Sequence, residues 1–252
     1  MTDIGQNRDF MKCPAFFDIM KSSDQSKGVP YPIHSKAITG PLTLLPAFDH
    51  LAQTPYTNLL DARRSERVFT DKPMSQAELA FMLWSAQGMQ KYRSEDKVAI
   101  LRPVPSGGSR HPFELYTVVK NVEGLKPGIY RYAPMEHIGE KKVAIEYLGV
   151  FEDYENRMSA ALAGQKWAAT APVVLFISVI PYRSEWRYVQ ASHRVMLIDL
   201  GHIGQNIMLS AVALGLGSCC IAAYNQELCD EALGFDGQDE YTVYAVPVGT
   251  PK

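Results

Sequence analysis

Four residues near position 65 combine positive charge with a hydroxyl group in a very short stretch. They are Arg63, Arg64, Ser65 and Arg67. The planar guanidinium fork of arginine bonds two oxygens at once, so three such groups around a serine can surround a phosphate. A solvated helix end is the competing interpretation, because basic side chains also favour the negative end of the helix dipole. Taken alone, the cluster leaves both interpretations open.

A second short segment has the composition of a loop that contacts a flat ligand. It consists of Pro105, Ser106, Gly107, Gly108 and Ser109. Glycine lets the backbone approach a ligand closely and leaves its amide group free to donate a hydrogen bond. A surface turn has the same composition, so this segment also has two interpretations when it is taken alone.

Other chemistries lack the patterns that they require. Gly215 and Gly217 follow a long helical pattern, whereas the dinucleotide-binding fingerprint follows a strand and opens a helix. We therefore predict that these glycines end the helix. His111, His193 and His202 lack the spacing of a metal site, and no GxSxG elbow of a serine hydrolase occurs. The sequence predicts neither a metal centre nor a hydrolase.

Composition and charge narrow the class of protein. Apolar residues make up 46% and charged residues 21% of the 252 residues, as is typical of a soluble globular protein. The net charge of −2 includes no basic run, which argues against a nucleic-acid partner. Residues 1–10 lack the apolar core of a signal peptide, and the apolar run 171–180 is too short to span a membrane. We predict a cytoplasmic protein with no membrane partner.

Hydrophobic patterning predicts interleaved helices and about five strands, hence an α+β or α/β protein. Residues 1–50 are interpreted as an extended arm packed on the body, with a short helix within 10–20, and residues 51–252 as a single domain. Further predicted helices cover residues 56–63, 76–87, 152–169, 188–214 and 226–233, and residues 89–112 form a long loop. Predicted strands cover residues 113–119, 128–132, 143–148, 172–180, 220–223 and 241–248.

Read in order, the motifs resemble a known family. The series is Arg-Arg-Ser-x-Arg-x-Phe at 63–69, Pro-Ser-Gly-Gly-Ser-x-His-Pro-x-Glu-x-Tyr at 105–116, Gly-Leu-x-Pro-Gly-x-Tyr-x-Tyr at 124–132, Asp-x-Gly-His-x-x-Gln-Asn at 199–206 and Ala-Leu-Gly-Leu-Gly at 213–217. It is similar to the nitroreductase-like flavoproteins, and specifically to their SagB-type dehydrogenase branch, which is named for enzymes that oxidise azolines to azoles in modified peptides. The similarity extends over most of residues 30–252.

The resemblance implies an α+β fold with a central, mostly antiparallel sheet flanked by helices. It also implies an intertwined homodimer that holds one FMN per subunit at the interface. Hydride and electron transfer then belong to the flavin, which agrees with the absence of a catalytic triad from the sequence.

Site residues follow from the resemblance position by position. It implies that Arg63, Ser65 and Arg67 hold the FMN phosphate and ribityl chain, with Arg64 beside them and Lys252 reaching the phosphate. The loop from Pro105 to Ser109 would lie along the isoalloxazine ring, supplied by the partner subunit. Backbone amides near the reactive flavin nitrogen would come from Ile221, Ala222 and Ala223, after an approach through Gly217 and Ser218.

One position departs from the family pattern. Azole-forming members resemble one another in carrying a Lys-Tyr pair before the Asp-x-Gly-His helix, where the pair assists proton removal. This chain has Arg187 and Tyr188 there. Tyr188 remains a candidate acid or base, whereas arginine, with a pKa above about 12, is a poor proton acceptor. Ordinary surface residues at a helix start are the alternative interpretation of this pair.

The leading prediction is an FMN-dependent oxidoreductase that acts on a small organic or peptide-derived heterocyclic substrate. One alternative is a nitroreductase or quinone reductase that takes its electrons from NAD(P)H, since nicotinamide stacks on the flavin without a sequence fingerprint. A second alternative is a non-redox binding protein, or a partner in a larger complex, that uses the same scaffold without turnover.

Overall fold

The computed structural model describes residues 10–12, 16–93, 99–134 and 141–252. A seven-stranded antiparallel sheet forms its centre. The strands are β1 Leu42–Leu44, β2 Lys91–Tyr92, β3 Ile100–Leu101, β4 Phe113–Val119, β5 Gly128–Tyr132, β6 Ala144–Gly149, β7 Val173–Val179, β8 Gly217–Ser218 and β9 Tyr241–Gly249. The helices are α1 Phe16–Met20, α2 Tyr56–Ala62, α3 Gln76–Gln87, α4 Tyr154–Ala161, α5 Tyr182–Tyr188, α6 Ser192–Ala213 and α7 Gln226–Leu233.

The order of strands in the main sheet is β1-β6-β5-β4-β7-β9-β8, and each neighbouring pair is antiparallel. Strands β4 and β7 pair along their whole length, from Phe113 opposite Val179 to Val119 opposite Val173. All residues of both strands are buried. Strands that are buried on both faces need cover on both sides, which the helices provide.

Alternate residues of the central strands face two different helix layers. On one face Leu175 and Ile177 of β7 pack with α3 and α6, in a cluster that includes Leu79 and Ile203. On the other face Phe176 belongs to a cluster with residues of α4 and α7. The alternation follows from the period of two along a strand. This arrangement confirms the predicted α+β fold with a mostly antiparallel sheet flanked by helices.

Helix α3 begins and ends where the sequence predicts. The Ser75 hydroxyl accepts a hydrogen bond from the Glu78 amide, and the Glu78 carboxylate accepts one from the Ser75 amide. This capping box satisfies two amides that the first helical turn leaves without partners. Helix α3 packs directly on α6 in the core, so the cap sets where this packed helix begins.

The amino-terminal region contributes to the sheet, beyond the extended arm that was predicted. Strand β1 pairs with β6 at the sheet edge. Just before it, the buried Glu146 carboxylate accepts hydrogen bonds from the amides of Thr39 and Gly40 and forms a buried ion pair with Arg131. With β1, which no predicted strand covers, the main sheet has seven strands, compared with the prediction of about five. The division between arm and domain stays a prediction.

Two predicted helices are shorter in the structure. The helix predicted over 152–169 is limited to Tyr154–Ala161, because Ala163 and Gly164 adopt positive φ angles of 54° and 80° and stop it. A 3₁₀ segment, Lys166–Thr170, follows. The helix predicted over 188–214 begins only at Ser192, because Val189 has a φ of 49° and separates it from α5. Tyr188 therefore ends one helix and does not begin another.

Two other segments also differ from their predictions. The segment 89–112, predicted to be a loop, contains the antiparallel pair β2 and β3 within its described part. The strand predicted over 220–223 is replaced by β8 at Gly217–Ser218 and a single bridge between Ile221 and Ala245. Gly215, with a φ of 69°, follows the end of α6 as predicted, whereas Gly217 lies in a strand. The glycine at 217 serves close packing, as described below.

The stretch Tyr182–Ala213 is long enough to span a membrane, and its most apolar 18-residue window has a mean hydropathy of 1.3. Half of its most apolar window is buried inside the protein, and Val189 interrupts it. Length and hydropathy are shared by membrane helices and by the core helices of globular proteins, and α6 packs on α3 in the core.

Candidate functional site

The arginine segment leaves helix α2 in an extended conformation. Helix α2 ends at Ala62, and the Arg63 amide still donates a hydrogen bond to the Leu59 carbonyl at 3.0 Å. The Arg64 guanidinium bonds two carbonyl oxygens of its own segment, and that of Arg67 lies 5.9 Å from the ring centroid of Trp167. Ser65 is exposed, as are Arg64 and Arg67.

Two distant parts of the chain lie against this segment. The Glu66 amide donates to the Ser218 carbonyl at 3.0 Å, which adds the arginine segment to the edge strand β8. The Lys252 amide donates to the Val68 carbonyl at 3.1 Å. A Cβ on Gly217 would lie 2.7 Å from the Glu66 Cβ, so only glycine allows this approach. The structure therefore brings together three of the sequence segments that were predicted to hold one phosphate.

Positive charge predominates at this meeting point, although Glu66 lies on the same segment. Four cations lie on the joined segments: Arg63, Arg64, Arg67 and Lys252. None of them forms an ion pair with a carboxylate among the residues that the structure describes. Clustered positive charge without internal partners attracts anions from solution. The residues present fit a dianionic phosphate group.

The loop at 105–109, here called the ring loop, is a tight turn with strained backbone. Gly108 and Ser109 have φ angles of 59° and 55°, and His111 just beyond has 43°. The His111 amide donates to the Ser106 hydroxyl at 2.9 Å. Positive φ at residues other than glycine is uncommon, and such strain concentrates at functional sites. Gly108 is exposed at the tip of the turn.

Asp199 fixes the ring loop to helix α6. Its two carboxylate oxygens accept hydrogen bonds from the Gly107 amide at 3.2 and 3.1 Å, and the Ser106 side chain also bonds it. Burial raises the pKa of the Asp199 carboxyl above its usual value, although the bonds from Ser106 and Gly107 oppose that shift. Sequence reasoning did not assign a role to Asp199, although it opens the Asp-x-Gly-His motif.

The structure brings the Arg187–Tyr188 pair onto the ring loop. A Cβ on Gly108 would lie 2.7 Å from the Tyr188 hydroxyl and 2.9 Å from the Cδ and Nε atoms of Arg187. Tyr188 is buried. Val189, which follows it, combines a φ of 49° with a ψ of −128°, a rare conformation for a β-branched residue. The strained backbone at Val189 ends the helix after Tyr188. Arg187 and Tyr188 therefore lie in the last turn of α5, where their side chains contact the ring loop.

The segment after β8 offers backbone amides. The Ile221 amide donates to the Ala245 carbonyl at 2.8 Å, so it is already bonded. Ala222 and Ala223 are exposed, and their amides donate to no backbone acceptor within the described ranges. Of the three residues predicted near the flavin nitrogen, Ala222 and Ala223 are those with available donors.

The neighbouring thiols are not poised for nucleophilic chemistry. Burial raises the pKa of Cys220 to about 11, so this thiol stays protonated at neutral pH. Cys219 and Cys229 are free and buried. Cys13 lies outside the described residues. These thiols pack as small apolar groups.

An amino-terminal segment, residues 16–29, covers helix α5 next to the ring loop, and we call it the strap. The ring centroids of Phe16 and Tyr188 are 5.7 Å apart. The Gln25 side-chain oxygen accepts a hydrogen bond from Arg187 Nη1 at 2.9 Å. The Trp186 indole donates to the Val29 carbonyl at 2.9 Å. The sequence held no signal for these contacts, because they join residues more than 150 positions apart.

Comparison with known proteins identifies the class to which this fold and site belong. The nitroreductase family profile matches residues 60–250, so the chain belongs to the nitroreductase family. It is 30% identical over 192 residues to the protein named "Putative nitroreductase MJ1384" of Methanocaldococcus jannaschii, which covers 76% of this chain and 89% of that protein.

One further relative supports the SagB-type branch, and one solved structure shares the fold. The chain is 36% identical over 118 residues to the trifolitoxin-processing protein TfxB of Rhizobium leguminosarum bv. trifolii, covering 46% of this chain and 30% of TfxB. The match thus spans less than a third of that relative. In the E. coli microcin synthetase McbBCD complex with truncated pro-MccB17 bound, one chain has the same fold at a TM-score of 0.60 and 17% identity. That likeness covers 100% of this chain and 98% of the other.

Proposed function

We propose that this nitroreductase-family oxidoreductase uses FMN, works as a homodimer and acts on a small organic or peptide-derived heterocyclic substrate. The observation that carries the proposal is the meeting of the arginine segment with Gly217 and Lys252, described above. Three parts of the chain supply positive charge and close backbone approach at one surface. An FMN phosphate matches that chemistry, since arginine bonds phosphate oxygens in pairs.

In this proposal Arg63, Ser65 and Arg67 hold the phosphate and ribityl chain. Arg64 lies beside them, and Lys252 adds charge from the end of the chain. Gly217 and Ser218 carry the backbone past the phosphate towards Ala222 and Ala223. Their exposed backbone would hold the ring near its reactive nitrogen, where amide donors would favour the negative charge that accompanies flavin reduction. Ile221 fixes this approach through its bridge to Ala245.

The ring loop would lie along the flavin held by the partner subunit. Asp199, which holds the loop, and Gly204, which packs near Cys220 and Tyr244, are five residues apart on α6. At 3.6 residues per turn these two positions point about 140° apart around the helix. The loop and the segment after β8 therefore face different directions within one chain. A second copy of the chain would supply the missing half of each flavin site.

Helix α6 carries an exposed apolar stripe that suits such a dimer. Leu197 and Ile198 are 54% and 55% exposed. One turn further, a Cβ on Gly201 would meet no atom within 4 Å. Exposed large apolar side chains next to a small residue allow two helices to pack closely. We propose this stripe as the contact between the subunits.

FMN, when bound, supplies the electron transfer, so the chain need not provide a nucleophile. The protein's own residues then bind and orient the substrate and move protons. Tyr188 has a hydroxyl at the ring loop that can donate or accept a proton. Arginine is a poor proton acceptor, so we assign Arg187 to binding and not to proton removal. A peptide-derived substrate, and a requirement for partner proteins, are supported by TfxB and by the McbBCD complex.

The experiment that tests this proposal is identification of the bound cofactor. The purified chain should show the two-band absorbance of a yellow flavin, and denaturation should release about one FMN per chain. Size-exclusion chromatography with light scattering should give a dimer mass, twice 28.1 kDa. A colourless protein that takes up no FMN would contradict the proposal and favour a non-redox binding role.

A second candidate, a nitroreductase or quinone reductase driven by NAD(P)H, is favoured by the extended identity with MJ1384. It predicts that NADH or NADPH bleaches the flavin and that a nitroarene or quinone restores it. The assay is the steady-state oxidation of NADPH with either acceptor. Failure of both nicotinamides to reduce the flavin would remove this candidate and leave the flavin proposal intact.

A further inference from the structure

We propose that Arg187 binds a carboxylate of the substrate beside the ring loop, so that the enzyme selects anionic substrates. This inference rests on the proposed function and names the substrate class of that site. Its basis is the geometry of Arg187, the charge around it and the neutrality of Gln25, its hydrogen-bonded partner among the described residues.

The Arg187 side chain extends across the exposed Gly108 of the ring loop. Its Cδ and Nε atoms both lie 2.9 Å from the position that a Cβ on Gly108 would occupy, and its guanidinium carbon is 5.5 Å from the ring centroid of Tyr188. The guanidinium therefore lies next to the loop that is proposed to follow the flavin ring. A group bound to Arg187 would lie near the flavin.

The hydrogen-bonding capacity of Arg187 is mostly unused. Nη1 donates to the neutral side-chain oxygen of Gln25 at 2.9 Å. Nε also has no acceptor, but it is buried, so the terminal nitrogens are the ones that can reach a ligand. No carboxylate within the described ranges forms an ion pair with Arg187. An arginine fork with spare donors matches the two oxygens of a carboxylate.

A second guanidinium strengthens the positive charge at this place. Arg110 is buried against the Trp186 ring, with its guanidinium carbon 5.0 Å from the centroid. Burial lowers the pKa of Arg110, and the charge of Arg187 lowers it further, which means that the two cations repel each other. An anion bound at Arg187 would relieve that repulsion. A neutral ligand of the same shape would not.

Gln25 allows a test that leaves Arg187 in place. Gln25→Glu would put a carboxylate on the Nη1 of Arg187 without changing the shape of the strap, and it would occupy the proposed site internally. Gln25→Ala is the matched control, since it removes the same contact but adds no charge. Arg187→Gln removes the charge itself, and Arg187→Lys keeps the charge but loses the fork.

The probes are benzoate and benzamide, which differ in charge but hardly in shape. Their binding to the FMN-loaded protein would be measured by calorimetry and by the change in flavin absorbance. The wild type and Gln25→Ala should bind benzoate at least tenfold more tightly than benzamide, which corresponds to about 1.4 kcal/mol. Gln25→Glu and Arg187→Gln should lose that preference, and Arg187→Lys should keep part of it. Thermal unfolding and FMN content should stay unchanged in the two Gln25 variants.

Equal or undetectable binding of the two probes to the wild type would overturn the proposal, as would a preference that survives Arg187→Gln. If Arg187→Gln does not fold, the test is Gln25→Glu, and a benzoate preference that survives in this variant would overturn the proposal. FMN content is measured separately on the same samples. A chain that takes up no FMN would contradict the proposed function, while calorimetry on that chain would still show whether Arg187 distinguishes benzoate from benzamide.

Discussion

The backbone amide of Gly107 donates to both carboxylate oxygens of Asp199, at 3.2 and 3.1 Å, and so joins the ring loop to helix α6 across 92 positions of sequence. Asp199 is buried. Two residues other than glycine have positive φ angles here: Ser109 in the ring loop and His111 just after it. Strain of this kind persists only where surrounding contacts enforce it. Asp199 is the contact that does so from α6.

Replacing Asp199 should therefore loosen the ring loop. Asp199→Ala leaves the Gly107 amide and the Ser106 hydroxyl without their acceptor, which should lower the free energy of unfolding by about 1 to 3 kcal/mol. Asp199→Asn keeps one acceptor oxygen and should lose less. Urea unfolding measures both, with the exposed Asp239→Ala as a control that should be neutral. Equal stability of Asp199→Ala and the wild type would show that the carboxylate does not hold the loop.

Gly108→Ala should disturb the contact between the loop and Tyr188. Its new Cβ would lie 2.7 Å from the Tyr188 hydroxyl, and φ at Gly108 is 59°. Gly164→Ala is a matched control, because its φ is 80° but its Cβ would meet nothing within 4 Å. Both variants carry the cost of a left-handed alanine, about 1 to 2 kcal/mol, and Gly108→Ala should lose more. Adding Tyr188→Phe should restore part of the difference in urea unfolding; no restoration would mean that the clash lies elsewhere.

The phosphate assignment predicts a loss of FMN affinity in Arg67→Ala. A hydrogen bond to a charged group contributes about 1.5 to 3 kcal/mol, so the dissociation constant for FMN should rise roughly 10-fold to 100-fold. The control is Lys141→Ala, which removes an exposed cation that pairs with Asp49. Fluorescence quenching of FMN on binding gives both constants. Unchanged affinity in Arg67→Ala would indicate that the arginine segment is structural.

Disrupting the apolar stripe of α6 should separate the proposed dimer. Ile198→Asp puts a charge on a side chain that is 55% exposed in the single chain. Burying that charge at an interface is unfavourable, so the variant should elute as a monomer and lose FMN. Leu228→Asp, at an exposed position of α7, is the control and should remain dimeric. A dimeric Ile198→Asp with full FMN content would require a different interface.

Much of the sheet could be predicted from local patterns. Strand Phe113–Val119 and helix Gln226–Leu233 have the predicted bounds, because apolar runs and turn residues mark their ends directly. The break at Val189 could not be predicted, since a β-branched residue with positive φ is stabilised only by tertiary contacts.

The same distinction applies to the site. Composition and the family resemblance predicted the arginine segment and the ring loop as site residues, and their roles stay predictions. The roles of Asp199 and Gln25 were not predicted, because each depends on a partner that is far away in sequence: Asp199 holds Gly107, and Gln25 bonds Arg187. An aspartate on a helix and a glutamine in an irregular segment carry no local sign of such partners.

The buried Glu146 should make stability depend on pH. Burial alone would raise the pKa of Glu146, but hydrogen bonds from the Thr39 amide, Arg131 and the Gly40 amide lower it below its ordinary value of 4.5. Because the folded-state pKa is the lower one, the ionised carboxylate stabilises the fold above pH 4.5, and this contribution is lost as the pH falls through the folded-state pKa.

Glu146→Gln leaves Arg131 as an unpaired buried charge and should lower the free energy of unfolding by about 3 kcal/mol at pH 7. Asp49→Asn, which breaks the exposed pair with Lys141, should cost less than about 1 kcal/mol. In urea unfolding at a series of pH values, the gap between the wild type and Glu146→Gln should narrow below pH 4.5, and a gap that stays constant would contradict this account of the carboxylate.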